Sequence, residues 1–454
     1  MGPLSSLAGF AKQAQSLILR VKTSLPALRK TGRISPIQPA DGRVTQRCWN
    51  IEDLGLRSNV IVHNLESMRR ANTSLDFEWS LLLAACSGTA GPERHERIRS
   101  LLGEAIRWKV LFDLSNRHGV QPLLSQALAE IGGAVPAGEM RLLEQRWQTN
   151  LHKALLLSRE LIRIVDCLSA LGIDTLAYKG LALAEFVYGD IALRQAGDID
   201  LLIRPRDLSR VRGALHDLGY TPQASLSEAE QRAYLKSGYE CVFDAPAGRN
   251  LLEVQWAIQP RFYAIDFDMD ALFRRAVGIT VAGYAMKMPS QEDLLLLLAA
   301  HASKHVWARL LWLCDTTRIM SLPTLDWSWI GSQAKELGIV RILRVIMLLA
   351  NRLLGAAIPP AAQASLPRDP AAPAVADEIQ THIVNDASYD IESLAYFRLM
   401  MRLREKPADR LRFLHRLVFT PGPGDWHAVH LPSPLFPLYR MVRLSRLATR
   451  LVRA

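Results

Sequence analysis

Two aspartates one residue apart, Asp198 and Asp200, interrupt a run that is otherwise apolar, with Ile199, Leu201, Leu202 and Ile203, and that ends before Pro205. A run of this length and composition reads as a buried strand, and because side chains alternate along a strand both carboxylates project from one face. Burying such charges unpaired costs on the order of several kcal/mol, so they must sit at the open end of the strand or be neutralised. The chain therefore has to provide either a solvated strand edge or a counter-charge at this point.

A third acid, Glu253, stands between Leu252 and Val254 in a second strand-like run, Leu251 to Ala257. The turn Pro246-Ala247-Gly248-Arg249-Asn250 joins that run to Tyr239 through Phe243 as the arms of a hairpin. Three carboxylates brought together repel unless a cation lies among them. Mg²⁺, which takes oxygen ligands and keeps positions open for phosphate oxygens, is the natural occupant. An acid pair plus an isolated acid, separated by a helix and a hairpin, is an arrangement that holds two such ions across the phosphates of a nucleotide. Upstream, Ile173 to Tyr178 reads as a short strand and Leu181 to Tyr188 as a helix, with Lys179-Gly180 as the turn between them. By itself that turn needs no function. Beside the acids, its glycine lets a phosphate approach the backbone at a helix N-terminus, and Lys179 adds a mobile positive charge.

The rest of the chain is helical in pattern. Before the strands, apolar faces recur from about Phe77 to Cys86, Ile106 to Leu114, Val120 to Ile131 and Glu139 to Leu171. After Pro289 a single long helix is expected over Glu292 to Met320, with others around 325 to 356 and 374 to 404. A Pro-rich segment from Pro421 leads into a final basic helix, Leu438 to Arg453. The expected fold is α+β and mostly helical, with a small mixed sheet. At 454 residues more than one unit is expected. The divisions are an N-terminal extension (1–75), a helical region (76–172), the α/β core (173–288), a second helical domain (289–420) and the terminal segment (421–454).

The net charge of +11 is unevenly placed: residues 1–75 carry +7 and residues 398–454 carry +9, which leaves the middle at −5. That distribution argues against a continuous nucleic-acid groove, while the basic ends are compatible with contact to anionic lipid or RNA. Residues 1–75 read either as a basic targeting segment or as sequence upstream of a product that starts at Met68. The tail helix, with Arg440, Arg443, Arg446, Arg450 and Arg453, suits either an anionic membrane surface or docking on its own protein. The longest apolar runs, around Leu294 to Ala300 and Val345 to Ala350, fall well short of the ~20 residues that cross a bilayer. Five cysteines, Cys48, Cys86, Cys167, Cys241 and Cys314, lie singly and without metal-ligand spacing, as expected of buried thiols in a reducing, cytoplasmic compartment.

The segments Tyr178-Lys179-Gly180-Leu181-Ala182-Leu183-Ala184, Tyr188-Gly189-Asp190, Leu193-Arg194, Asp198 through Ile203 and Glu253-Val254-Gln255-Trp256 closely resemble the uncharacterised nucleotidyltransferase family, part of the DNA polymerase beta-like nucleotidyltransferase superfamily. The resemblance continues in His301 through Trp307, Leu310, Trp312, Asp315 and Leu438-Tyr439-Arg440, and spans roughly residues 77–445. Members are often encoded beside bacterial peptide-modifying or polysaccharide genes.

The resemblance implies a nucleotidyltransferase core between helical domains, and transfer of a nucleoside monophosphate from an NTP such as ATP to an acceptor, with release of pyrophosphate. Asp198, Asp200 and Glu253 would hold two Mg²⁺ ions, with Mn²⁺ able to substitute, and Lys179, Gly180 and Arg194 would steady the phosphates. Arg194 has a second reading, as a structural partner of Asp190 or Asp198. Two departures stand out: Lys-Gly replaces the superfamily's Gly-Ser or Gly-Gly, and Gln255 stands where relatives tend to have a histidine, so no imidazole is available there to carry a proton. His301 and His305, four apart, suit packing or substrate contact better than metal binding, with Asp315 expected to anchor one of their rings. The other readings are a nucleotide-binding partner protein with little turnover, and a transferase whose acceptor is a protein or RNA.

Overall fold

The computed structural model describes residues 76–453 apart from 89–90, 225, 249, 386, 388 and 391–392. The readings of residues 1–75 and of Met68 as a start lie outside the described residues. The chain opens with five helices, α1 (Asp76–Cys86), α2 (Pro92–Leu102), α3 (Trp108–Arg117), α4 (Gln121–Ile131) and the long α5 (Ala137–Ala170). A mixed section follows, comprising β1 (Thr175–Ala177), α6 (Gly180–Tyr188), β2 (Asp198–Ile203), α7 (Leu208–Asp217), β3 (Thr221–Pro222), α8 (Glu228–Ser237), β4 (Glu240–Asp244), β5 (Leu251–Gln255), α9 (Met269–Arg274), β6 (Val277–Val281) and β7 (Tyr284–Met288). The remainder is helical, with α10 (Gln291–Lys304), α11 (Leu310–Met320), α12 (Trp327–Leu337), α13 (Val340–Leu354), α14 (Pro360–Ser365), α15 (Ala372–Val384), α16 (Leu394–Arg402), α17 (Pro407–Phe419), α18 (Pro423–Ala428) and α19 (Tyr439–Arg453). The fold is α+β and mostly helical, as the sequence pattern indicates.

Five strands form one sheet in the order β1-β2-β5-β4-β3, and β6 pairs with β7 as a separate hairpin. β2 and β5 run parallel in the centre, each flanked by an antiparallel neighbour. Alternation divides the strand residues between two cores. Ile199, Leu201 and Ile203 pack with Leu252, Val254 and α5 residues such as Leu161, whereas Leu202, Leu176 and Tyr178 join the larger core made with the helices. Asp198 and Asp200 share the parity of Leu202, so the acids are on the sheet face turned toward the helical body.

Several helices differ from the sequence reading. Glu292 to Met320 is two helices, because Val306 (φ 51°) and Trp307 (φ 50°) both take left-handed backbone conformations that end the first. Trp307 is fully buried there. The segments 325–356 and 374–404 are likewise split, between α12 and α13 and between α15 and α16, and α2, α8, α17 and the β6–β7 hairpin have no counterpart in that reading. The basic tail helix docks on the protein: Arg443 and Arg446 pair with the buried Asp425 at 3.2 and 2.5 Å. Among the described residues no helix is long and apolar enough to cross a membrane, and the four described cysteines are free thiols.

His118, at the end of α3, ties the first helices to α11. Its Nδ1 accepts from the Leu310 N–H at 3.3 Å, its carbonyl accepts from the Leu311 N–H at 3.2 Å, and its ring meets Trp79 edge-on at 5.0 Å. Burial, reinforced by Arg117 and Arg309, pulls its pKa from 6.5 down to about 4. A base held neutral in this way contributes stability above its unfolded pKa, and that contribution is lost as pH falls from 6.5 toward 4. At pH 5 the loss should be on the order of 2 kcal/mol. Denaturant unfolding at pH 7.5 and pH 5 should therefore show a smaller loss for His118→Gln, which can still accept from Leu310 but does not titrate. An equal loss in both proteins would exclude His118 as the source.

Candidate active site

The pairing of β2 with β5 brings the three acids together. Asp200 is the register partner of Glu253, and Asp198 lies two residues earlier on the same face. They line a cavity of about 690 Å³ between the sheet and the helices α10 and α11. Asp200 is buried, and the Lys179 ammonium lies 2.5 Å from its Oδ1 and 3.8 Å from Glu253 Oε2. Burial opposes the charge on Lys179, but Asp200 and Glu253 outweigh it and raise the lysine pKa well above its ordinary value.

One lysine does not balance the acids. Burial, followed by repulsion from Asp200, pushes Glu253 up to about 8 and also raises Asp198. Burial raises Glu240 as well. Among the described residues, no group of three or more His, Cys, Asp or Glu side chains is drawn close enough to hold a metal ion. The donor set nevertheless suits a hard cation in its chemistry: every candidate ligand is a carboxylate oxygen, and burial with mutual repulsion keeps Glu253 raised even beside Lys179.

Lys179 and Gly180 are where the sequence places them, at the junction of β1 and α6. Gly180 sits at φ 54°, in left-handed space that a side chain would strain, and starts the helix with Lys179 as an extended cap. Arg194 is buried against Asp315, its Nε donating to both carboxylate oxygens at 3.1 and 3.2 Å. Its structural partner is thus neither Asp198 nor Asp190, whose Oδ1 accepts from the Ala192 N–H. Asp315 also accepts from the Tyr188 hydroxyl at 2.9 Å and holds no histidine ring. Arg194 lines the cavity and reaches the Gly180 carbonyl at 3.5 Å, so it braces the turn that carries Lys179.

Gln255 fixes Glu253. It accepts from the buried Tyr178 hydroxyl and donates to Glu253 Oε2 at 2.9 Å and to Glu240 Oε2 at 3.3 Å. Glu240, Tyr239 and Lys304 are cavity residues that the sequence reading did not assign. Lys304 donates to the Tyr239 hydroxyl at 3.0 Å. The signals for them were present: Glu240 faces Gln255 across the hairpin, and Lys304 lies within the His301-to-Trp307 run, less than one helical turn beyond His301.

The parallel strand pair bearing three carboxylates, and the strand-turn-helix with a lysine that precedes it, lie within residues 104–355. The sequence pattern of the uncharacterised nucleotidyltransferase family matches residues 104–355, more than half of the chain, and the chain belongs to that family. No curated protein and no solved structure matches it.

Two outcomes are expected. Asp315→Ala leaves Arg194 buried without its partner and should cost about 3–5 kcal/mol in denaturant unfolding; a loss below about 1 kcal/mol would show that the pair is not desolvated. A carboxyl whose pKa is raised by folding contributes stability that is full below its unfolded pKa of 4.5 and is lost as pH rises through about 8. Glu253→Gln should therefore unfold at a higher temperature than wild type at pH 9, with the difference shrinking toward pH 5. A difference independent of pH would contradict the repulsion.

Proposed function

We propose that the chain is a Mg²⁺-dependent enzyme that transfers a nucleoside monophosphate from an NTP to a hydroxyl or phosphate acceptor. The observation that carries this reading is the pairing of Asp200 with Glu253 across parallel strands, with Asp198 on the same face of the sheet. Asp198, Asp200 and Glu253 are the residues that would hold the metal, whose chemistry when bound is to neutralise the triphosphate and lower the pKa of the acceptor hydroxyl.

The chain's own groups do the rest. Lys179 and the free N–H groups at the start of α6 take the phosphate charge, and the left-handed Gly180 keeps that turn open to the ligand. Gln255, which has no proton to exchange, holds the Glu253 carboxylate in one orientation. The acceptor oxygen forms a bond to the α-phosphorus as the bond to the bridging oxygen breaks, and pyrophosphate leaves. The acceptor proton passes to solvent as the new bond to phosphorus forms.

A second reading, a nucleotide-binding protein with little turnover, is favoured by the close Lys179–Asp200 pair, which already occupies one of the carboxylates. Incubation with labelled ATP, CTP, GTP and UTP plus Mg²⁺ or Mn²⁺ separates the two. Transfer should fall on the order of a thousandfold in Asp198→Asn/Asp200→Asn, equivalent to about 4 kcal/mol of barrier. Undiminished transfer by the double variant would eliminate the site, whereas tight NTP binding without pyrophosphate release would favour the second reading.

A further inference from the structure

The part of the cavity lined by α10 and α11 carries aromatic rings. His301, His305 and Trp312 form a three-ring cluster in which His301 meets Trp312 at 5.5 Å, His305 meets Trp312 at 5.4 Å and the two imidazoles lie 5.0 Å apart. All three line the cavity, and none of the three side chains is fully buried. The cluster depends on an unusual backbone. Val306 and Trp307 are consecutive non-glycine residues in left-handed conformations, and for a β-branched valine that is a genuine outlier. The strained turn ends α10 at Lys304 and restarts the chain as α11 at Leu310, which brings Trp312 against the two histidines. Strain of this kind persists only where the surroundings enforce it, as the fully buried Trp307 does here, and it concentrates at ligand sites.

Two polar groups of the same cavity lack partners. Because His118 Nδ1 accepts from Leu310, the ring proton is on Nε2, and that buried donor has no acceptor. Gln195 uses its Nε2 on Asn116 Oδ1 at 3.2 Å, which leaves its buried Oε1 as an acceptor without a donor. Both residues line the cavity. Arg117, Lys304 and Arg309 are cations of the same cavity, whereas the rings with one orphan donor and one orphan acceptor suit a nucleobase, whose face stacks on aromatic groups and whose edge presents acceptors and donors side by side.

We infer that Trp312, with His301 and His305, is the stacking platform for the base of the bound NTP, and that Gln195 and His118 read the edge of that base. The inference rests on the nucleotidyl-transfer reading and assigns the second wall of the same cavity: phosphates on the side of Lys179 and the carboxylates, base on the side of α11.

Calorimetric titration of the full chain with each of the four NTPs and with inorganic tripolyphosphate, both with Mg²⁺, tests it. Trp312→Ala should weaken binding of all four NTPs roughly 5- to 150-fold and leave tripolyphosphate binding as it is. Trp312→Phe should restore most of the loss, and Gln195→Leu should change the order of preference among the NTPs. Equal NTP affinity in wild type and Trp312→Ala overturns the platform, as does an equal loss for NTPs and tripolyphosphate, which would mark Trp312 as merely structural. If Trp312→Ala does not fold, His305→Ala takes its place with the same criteria. Failure of the wild type to bind either NTP or tripolyphosphate would instead bring down the nucleotidyl-transfer reading and, with it, this inference.

Discussion

Negative charge on the inner face of a small sheet is the constraint on which this structure depends. Asp198, Asp200, Glu253 and Glu240 all line one cavity, and burial raises the pKa of three of them. Removing any one acid would ease the repulsion, so retaining all four makes sense only if a counter-charge is part of the working site. Lys179 supplies one positive charge to Asp200 and approaches Glu253. It reaches the acids because β1 ends beside β2 and a left-handed glycine turns the chain at that point. Lys304 lies in the same cavity and adds a second positive charge, which acts on Glu240.

Behind the acids the structure keeps its other charges paired and rigid. Arg194 and Asp315 are buried together, and the Tyr188 hydroxyl completes the carboxylate. Such a pair contributes little net stability compared with an apolar filling, but it fixes geometry, because neither charge tolerates separation from the other. Here it joins the segment after α6 to α11 and reaches the Gly180 carbonyl. Gln255 does similar work as a neutral residue: Tyr178 donates to its carbonyl oxygen, so its amide group must point at Glu253 and Glu240. An imidazole at this position could exchange a proton with the acids. The amide can only orient them.

Much of the site was legible in the sequence because its signals are local. Acids alternating with Ile199 and Leu201 fixed the strand and its face, and Lys179-Gly180 between a strand and a helix fixed the turn. Other features depend on contacts that no local pattern encodes. Arg194 meets a carboxylate 121 residues away, and the sequence neighbourhood offered Asp190 and Asp198 instead. The break between α10 and α11 carries neither glycine nor proline, so the apolar pattern runs through it unmarked. Only the packing of Trp307 forces the chain into left-handed space there. The β6–β7 hairpin was missed for a related reason: β6 is largely exposed and shows no alternation, although β7 alternates with Met286 and Met288 buried.

That break makes α11 the strut of the molecule. Its first residues receive the backbone and ring of His118 from the N-terminal helices, and Gly119 lets the two approach closely: at φ 70° it adopts a conformation that disfavours side chains, and a methyl group there would lie 3.2 Å from Leu311. The next residue, Trp312, faces the cavity, and three residues beyond it Asp315 holds Arg194 and, through it, the glycine turn of the sheet. Had α10 continued straight through Val306, these attachments could not all fall on one helix packed against α6, α10 and α13. The energy stored in two left-handed residues is therefore matched by three separate anchorages, and the same helix sets the distance between the acidic wall and the aromatic wall of the cavity.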